Sequence, residues 1–206
     1  LLSLINDLLD LTKIESNKLE LNSDTFNTHD FLDPIVKLFS KQAQDQKLTF
    51  RYKSEGDLPS SLFGDKHRLR RILSNLLDNA FKFTQQGYVA LTVSYKESVL
   101  VFKIEDTGCG IRDEDLQAIF EPFNQFSRKS GNDGVGLGLY ISRYLVELMQ
   151  GTLSITSQLN KGTSCLLTLP LPERQCAFPA LDKYKTVTGY LGSQKTILIV
   201  DDKAYN

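Results

Sequence analysis

Asn75, Asn79 and Lys82 stand at i, i+4 and i+7 within Arg68 to Phe83, a stretch that holds no glycine or proline. At helical spacing the three share one face. An amide oxygen is a hard donor suited to Mg2+, which keeps most of its waters and takes few protein ligands. A lysine one turn further on meets a phosphate as a point charge. A second group, Asp106-Thr-Gly108-Cys-Gly110, follows the alternating run Val99 to Glu105. A carboxylate at a strand end can accept a hydrogen bond from the exocyclic amine of adenine; guanine offers an acceptor at that position. Gly108 and Gly110 are expected to let the backbone turn sharply and approach the base. A third group, Gly134, Gly136 and Gly138, leads into the amphipathic run Leu137 to Met149. A helix N-terminus has free N–H groups and a partial positive charge, both suited to phosphate. No Gly-Lys-Ser/Thr follows, so this is not a Walker loop. Each group alone has an ordinary reading: a solvated polar face, a strand-to-helix turn, a flexible loop. Together they describe a pocket for an adenine, a metal ion and a triphosphate.

The set resembles the catalytic, ATP-binding domain of sensor histidine kinases, within the wider group that includes gyrase B, Hsp90 and MutL. Asn75–Lys82 is similar to that family's N box, Asp106–Gly110 to its G1 box and Gly134–Gly138 to its G2 box. Phe120-Glu-Pro-Phe-Asn-Gln-Phe126 resembles the F box, and Gly151-Thr152 and Gly162-Thr163 match later glycine turns. The resemblance runs over about residues 19–170, with five motifs in register. It implies that Asn75, Asn79 and Lys82 carry the chemistry and that Asn79 holds Mg2+. It also implies a nucleotide site built from those three with Phe83, Asp106, Gly108, Gly110, Phe120, Phe126, Gly134, Val135, Gly136, Leu137, Gly138 and Thr163. Val135 stands where a small hydroxyl residue is usual, which removes one hydrogen bond to phosphate. Asn75 replaces the glutamate with which gyrase-like ATPases activate water. An amide has no basic group near neutral pH, so the chain suits transfer to a histidine brought from outside. Two other readings are an ATP-driven clamp and a degenerate kinase that acts as an interaction module.

Both ends extend the resemblance. Leu1, Leu4, Ile5, Leu8, Leu11, Thr12 and Glu15 follow a heptad-like seam, widened by Leu2, Leu9 and Ile14. Residues 1–18 resemble the second helix of the kinase dimerisation and phosphotransfer hairpin. That implies a homodimer partner and an acceptor histidine on a helix outside this chain. The alternative is an N-terminal core helix of the domain. Residues 195–206 (Lys-Thr-Ile-Leu-Ile-Val-Asp201-Asp202 and four more) resemble the first strand of a receiver domain, as in a hybrid kinase. Residues 171–194, with Pro172, Pro179, Gly189 and Gly192, are expected to be a linker. His29-Asp30 imitates an acceptor pair but starts a different helix, and His67 reads as a surface residue.

The elements that must position these groups follow from periodicity. Helices are expected over 1–18, 28–46, 65–84 and 137–149, with a short one over 113–120. Strands are expected near 19–23 and over 47–53, 88–95, 99–106, 152–158 and 163–170. The loop at Ser127 to Asp133 would be an ATP lid, with Arg128 and Lys129 able to reach phosphate. Short hairpins and three longer helices argue for an α/β two-layer sandwich, a mixed sheet covered by helices on one face. With 24 basic against 25 acidic residues and no basic stripe, the 206-residue chain does not suit nucleic-acid binding. Cys109, Cys165 and Cys176 lack a Cys-x-x-Cys pattern, as expected for thiols in a reducing, cytoplasmic setting. A membrane sensor could precede residue 1.

Overall fold

In the strand at 99–106 every second side chain is apolar and inward, and that alternation organises the protein. Leu100, Phe102 and Ile104 are buried, as are Val89, Leu91 and Val93 of the neighbouring strand. The computed structural model describes residues 2–16, 19–124 and 136–174. Its elements are α1 (Leu2–Glu15), β1 (Asp24–Asn27), α2 (Thr28–Gln46), β2 (Thr49–Glu55), β3 (Ser61–Gly64), α3 (Lys66–Phe83), β4 (Tyr88–Lys96), β5 (Val99–Asp106), α4 (Gly138–Leu148), β6 (Thr152–Gln158) and β7 (Gly162–Pro170).

Five strands form one mixed sheet in the order β2-β4-β5-β7-β6, and β1 pairs with β3 in a separate ribbon. Only β2 and β4 run parallel in the large sheet; the return passes through α3, because parallel neighbours need a long crossover. The other pairs are antiparallel, with Leu91 opposite Ile104, Phe102 opposite Leu167, and Ile155 opposite Cys165. These inward side chains meet the apolar faces of α2, α3 and α4. Phe39 of α2 stacks on Phe81 of α3, ring centroids 5.5 Å apart, and Phe50 of β2 lies against both. This is the expected two-layer sandwich.

Three elements differ from expectation. The strand foreseen at 19–23 forms instead at 24–27, pairing with β3, which periodicity did not mark. Four residues are too few for an alternation to stand out. The helix foreseen at 113–120 is two 3-10 turns, Asp113–Asp115 and Ala118–Phe120. Residues 171–174, expected to open a linker, are held on the domain instead. Leu171 is buried, its N–H donates to Ser98 O at 3.0 Å, and its carbonyl accepts from Tyr95 Oη at 3.1 Å. Phe63 N–H donates to Pro172 O, and Arg174 lies 3.9 Å over the Phe63 ring. An apolar side chain and paired backbone hold 171–174 on the domain. The rest of the expected linker and the receiver-like strand lie outside the described residues.

On α1, Asp10, Leu11 and Ile14 are buried, whereas Leu8 and Leu9 are about half exposed. Asp10 forms ion pairs with Arg68, at 3.5 Å, and with Arg71, both on α3. One face of α1 is thus seated on the domain, and the neighbouring leucines of the expected seam point outward. Among the described residues no helix is long and apolar enough to cross a membrane.

One buried polar atom lacks a partner among the described residues, Thr28 Oγ1 at the start of α2. Its backbone N–H is satisfied by Ser60 O, so only the hydroxyl carries a desolvation cost. Thr28→Val keeps the shape and removes that hydroxyl. It is expected to raise unfolding free energy by about 1 kcal/mol, read as a higher urea midpoint at unchanged slope. A lower midpoint would mean the hydroxyl contributes favourably.

Candidate functional site

α3 begins where Asp65 Oδ1 accepts from the N–H groups of His67 and Arg68, each at 3.0 Å. This cap satisfies donors the helix would leave open. Asp65 Oδ2 also accepts from Asn22 N–H at 2.9 Å. From that anchored start, Leu69, Ile72, Leu73, Leu76, Leu77, Ala80 and Phe81 are buried, which leaves Asn75, Asn79 and Lys82 on another face. Asn75 Nδ2 donates to Ser142 Oγ of α4 at 2.9 Å. The amide of Asn79, half-buried, has no hydrogen-bond partner among the described residues. Lys82 is exposed, its Nζ 5.3 Å over the ring of Phe83.

The end of α3 abuts the turn after β5. Cys109 N–H donates to Phe83 O at 3.2 Å, and a Cβ on Gly108 would fall on that same carbonyl. A Cβ on Gly110 would fall on Gln158 O in the β6–β7 hairpin. Both glycines were expected to admit a base; in the structure they admit neighbouring backbone. Close packing of three segments is the physical requirement.

Asp106 is the last residue of β5. Its Oδ1 accepts from Gly108 N–H at 2.8 Å and from Thr163 N–H at 3.2 Å. Burial pushes its carboxyl above the ordinary range, and those two hydrogen bonds pull it part of the way back. Both bonds fall on one oxygen, which orients the other. Thr163 enters this arrangement through its backbone; its Oγ1 lies 2.9 Å from Ser157 Oγ. Ser157, unmarked by any sequence motif, accepts from Ile111 N–H at 2.8 Å and donates to Gly162 O at 2.9 Å. It fastens the residues after the Asp106 turn to the β6–β7 hairpin.

The F-box segment is tied to α4. Arg143 lies 5.2 Å over the Phe120 ring and pairs with Glu147 at 3.0 Å. Phe123 N–H donates to Gly136 O at 3.1 Å, and a Cβ on Gly136 would sit 2.7 Å from Asn124 O. Residues 124 and 136 are therefore neighbours. Phe126, Arg128, Lys129, Gly134, Val135 and the expected lid lie outside the described residues. Leu137 has a buried side chain, so only its backbone can face a ligand. α4 starts without a side-chain cap, and a Cβ on Gly138 would fall on Asn75 Oδ1. Its first-turn N–H groups are of the kind that accept an anion.

The two described cysteines differ in reactivity. Cys109 is exposed in the Asp106 turn; Cys165 is buried, and its thiol is pushed up to about 12, first by burial and then by the Asp106 charge. Only the thiolate attacks an alkylating reagent. Iodoacetamide at pH 8 is expected to label Cys109 in the folded protein and Cys165 only after denaturation, as mapped by peptide mass spectrometry. Equal labelling of both in the native state would contradict the burial of Cys165.

Residues 64–173 match the family described as histidine kinase-, DNA gyrase B-, and HSP90-like ATPase. The autoinducer 2 sensor kinase/phosphatase LuxQ of Vibrio vulnificus (strain YJ016) is 32% identical over 219 aligned positions, covering 100% of this chain and 25% of that protein. The aerobic respiration control sensor protein ArcB of Escherichia coli (strain K12) is 37% identical, covering 82% of this chain and 22% of that protein. Full-length ShkA in complex with AMPPNP superposes with a TM-score of 0.74 at 31% identity, covering 85% of this chain and 36% of that one. The Acinetobacter baumannii histidine kinase AdeS, at 24% identity and a TM-score of 0.65 over 82% of this chain and 77% of that one, shares the fold. The chain spans about a quarter of the length of the curated relatives it matches.

Proposed function

The chain belongs to the histidine kinase-, DNA gyrase B- and HSP90-like ATPase family and carries the ATP-binding catalytic domain of the histidine kinase kind; from that premise we propose how its residues bind ATP and hand on a phosphoryl group. Asp106 accepts the exocyclic amine of adenine on the carboxylate oxygen that Gly108 and Thr163 leave open. Phe83 packs beside the sugar or base. Lys82 and the N–H groups at the start of α4 hold the phosphates, joined by the backbone of 134–138. Phe120 and Phe126 line the nucleotide site. Asn79 holds Mg2+ through its amide oxygen: its half-buried amide on the ligand stripe, without a hydrogen-bond partner among the described residues, is the kind of hard donor such an ion takes in ones and twos. When bound, the ion neutralises charge on the phosphate oxygens.

The observation that carries this reading is the half-buried Asp106 carboxylate, which accepts from Gly108 and Thr163 on one oxygen. In the transfer, the bond from the gamma phosphorus to the bridging oxygen breaks and a bond to an imidazole nitrogen of an external histidine forms. ADP leaves with the electron pair. Such transfers rest mostly on positioning and charge neutralisation. The Asn75 amide nitrogen already donates to Ser142, and an amide is no base for activating water. That favours the kinase over a gyrase-like clamp and predicts slow hydrolysis by this chain alone. The acceptor helix, a homodimer through residues 1–18 and a receiver domain after residue 195 are the partners this reading entails. A degenerate kinase acting only through α1 would bind no nucleotide.

Asn79→Ala tests the site. With Mg2+ present it is expected to lower AMPPNP affinity about tenfold or more, and with EDTA to change it little. Titration calorimetry reads both; equal affinity of variant and wild type in Mg2+ would remove Asn79 from the metal role. Rapid steady ATP hydrolysis by wild type would argue for the clamp instead.

A further inference from the structure

Ser142 lies on α4 and belongs to none of the nucleotide motifs. It is 2% exposed, and its Oγ accepts the Asn75 Nδ2 at 2.9 Å. The same amide meets α4 a second time. Its Oδ1 occupies the place where a Cβ of Gly138 would be. Gly138 and Ser142 are i and i+4, so they stack on one face of α4, as Asn75 and Asn79 do on α3. The Asn75 side chain is therefore held across one full turn of α4, by a hydrogen bond at one end and by close contact at the other.

We propose that Ser142 is a positioning residue that locks the Asn75 amide and thereby fixes the phosphate-facing start of α4 against the ligand stripe of α3. The role rests on the nucleotide reading above. Ser142 is buried and Asn75 half-buried; an amide N–H turned into that contact without an acceptor costs more than the bond contributes when made, so Asn75 keeps one orientation while Ser142 is present. With Oγ gone, the amide must turn away to find an acceptor. Gly138 then loses the neighbour that sets its distance from α3. The change falls on the phosphate end of the site. The adenine end is held by Gly108, Thr163 and the β6–β7 hairpin, and among the described residues no hydrogen bond joins it to Ser142.

That separation is measurable on the full chain. Ser142→Ala is expected to weaken AMPPNP binding in Mg2+ about tenfold and to leave adenosine binding, followed by nuclear magnetic resonance titration, within about twofold. The double variant Ser142→Ala with Asn75→Ala is expected to bind AMPPNP no more weakly than Asn75→Ala alone, because both changes break one coupling. Unaltered AMPPNP affinity in Ser142→Ala, equal losses for AMPPNP and adenosine, or additive losses in the double variant would each overturn the role. If the alanine variant does not fold, Ser142→Cys supplies the same comparison, and failure of both to fold would show a core requirement instead. Wild type that binds neither ligand removes the nucleotide reading and this role with it. Wild type that binds both while Ser142→Ala is unaffected removes only the role.

Discussion

Asp106→Asn is expected to lower ATP affinity by about a hundredfold while leaving the fold intact. The substitution is isosteric. Asn can keep a carbonyl oxygen at the Oδ1 position, where Gly108 and Thr163 donate at 2.8 and 3.2 Å. The second oxygen becomes an NH2 group, and an adenine amine facing it meets a donor instead of an acceptor. A hydrogen bond to a charged acceptor is lost and a repulsive pair replaces it. The same NH2 group can donate to the 6-oxo group of hypoxanthine, so the preference for ATP over ITP is expected to shrink or reverse. Parallel titrations with the two triphosphates check this; an unchanged preference would mean Asp106 does not face the base. The pH profile gives a second reading. Burial raises the Asp106 carboxyl above the ordinary range, and its charged form is the one that accepts. Binding is therefore present above that raised value and lost as pH falls through it, at a higher pH than an exposed aspartate would give. Asp106→Asn should lack this limb.

Gly162→Ala is the change with the largest expected cost in stability. Gly162 opens β7 with φ of 112°, a region that L side chains rarely adopt, and a Cβ there would fall on the carbonyl oxygen of Asp106. Strain and collision add, because the obstacle is backbone of a central strand and cannot swing aside. About 3 kcal/mol or more of unfolding free energy is expected to be lost, a fall in midpoint of about 10 °C for a domain of this size. Gly56→Ala is the control. Gly56 also has positive φ, 76°, but nothing lies within 4 Å of its would-be Cβ, so only strain of about 1 kcal/mol applies. Similar losses at both positions would show that the contact with Asp106 adds nothing. Gly162 also precedes Thr163, whose N–H holds Asp106. Nucleotide affinity should fall with stability in the first variant and stay level in the second.

The β5 strand was legible because its period of two is a local property. Leu100, Phe102 and Ile104 alternate in sequence and are buried in the structure. α3 was legible for the same reason, from an Asp cap and a 3.6-residue stripe. The ribbon of β1 and β3 was not legible, since four-residue strands carry no period and their pairing joins Asp24 to Gly64. Leu171 read as linker because prolines and glycines follow it, yet its place over Gly64 and its bonds to Ser98 and Tyr95 are long-range facts. Gly108 and Gly110 lie against the backbone of Phe83 and Gln158, neighbours that their spacing did not name. Their spacing announced a close approach but could not say to what.

The chain's own order of residues decided which groups are available: two amides and a lysine on one helical face, a carboxylate at a strand end, and a glycine-rich entry to a helix. These follow from spacing within a single element, where geometry is set by the local backbone. Folding decided how each group is used. It gave one Asp106 oxygen to Gly108 and Thr163, bound Asn75 to Ser142 while the Asn79 amide found no partner among the described residues, and paired Asp10 with Arg68 and Arg71. Those choices depend on which side chains meet across tens of residues, and hydrogen bonds and ion pairs act only at contact.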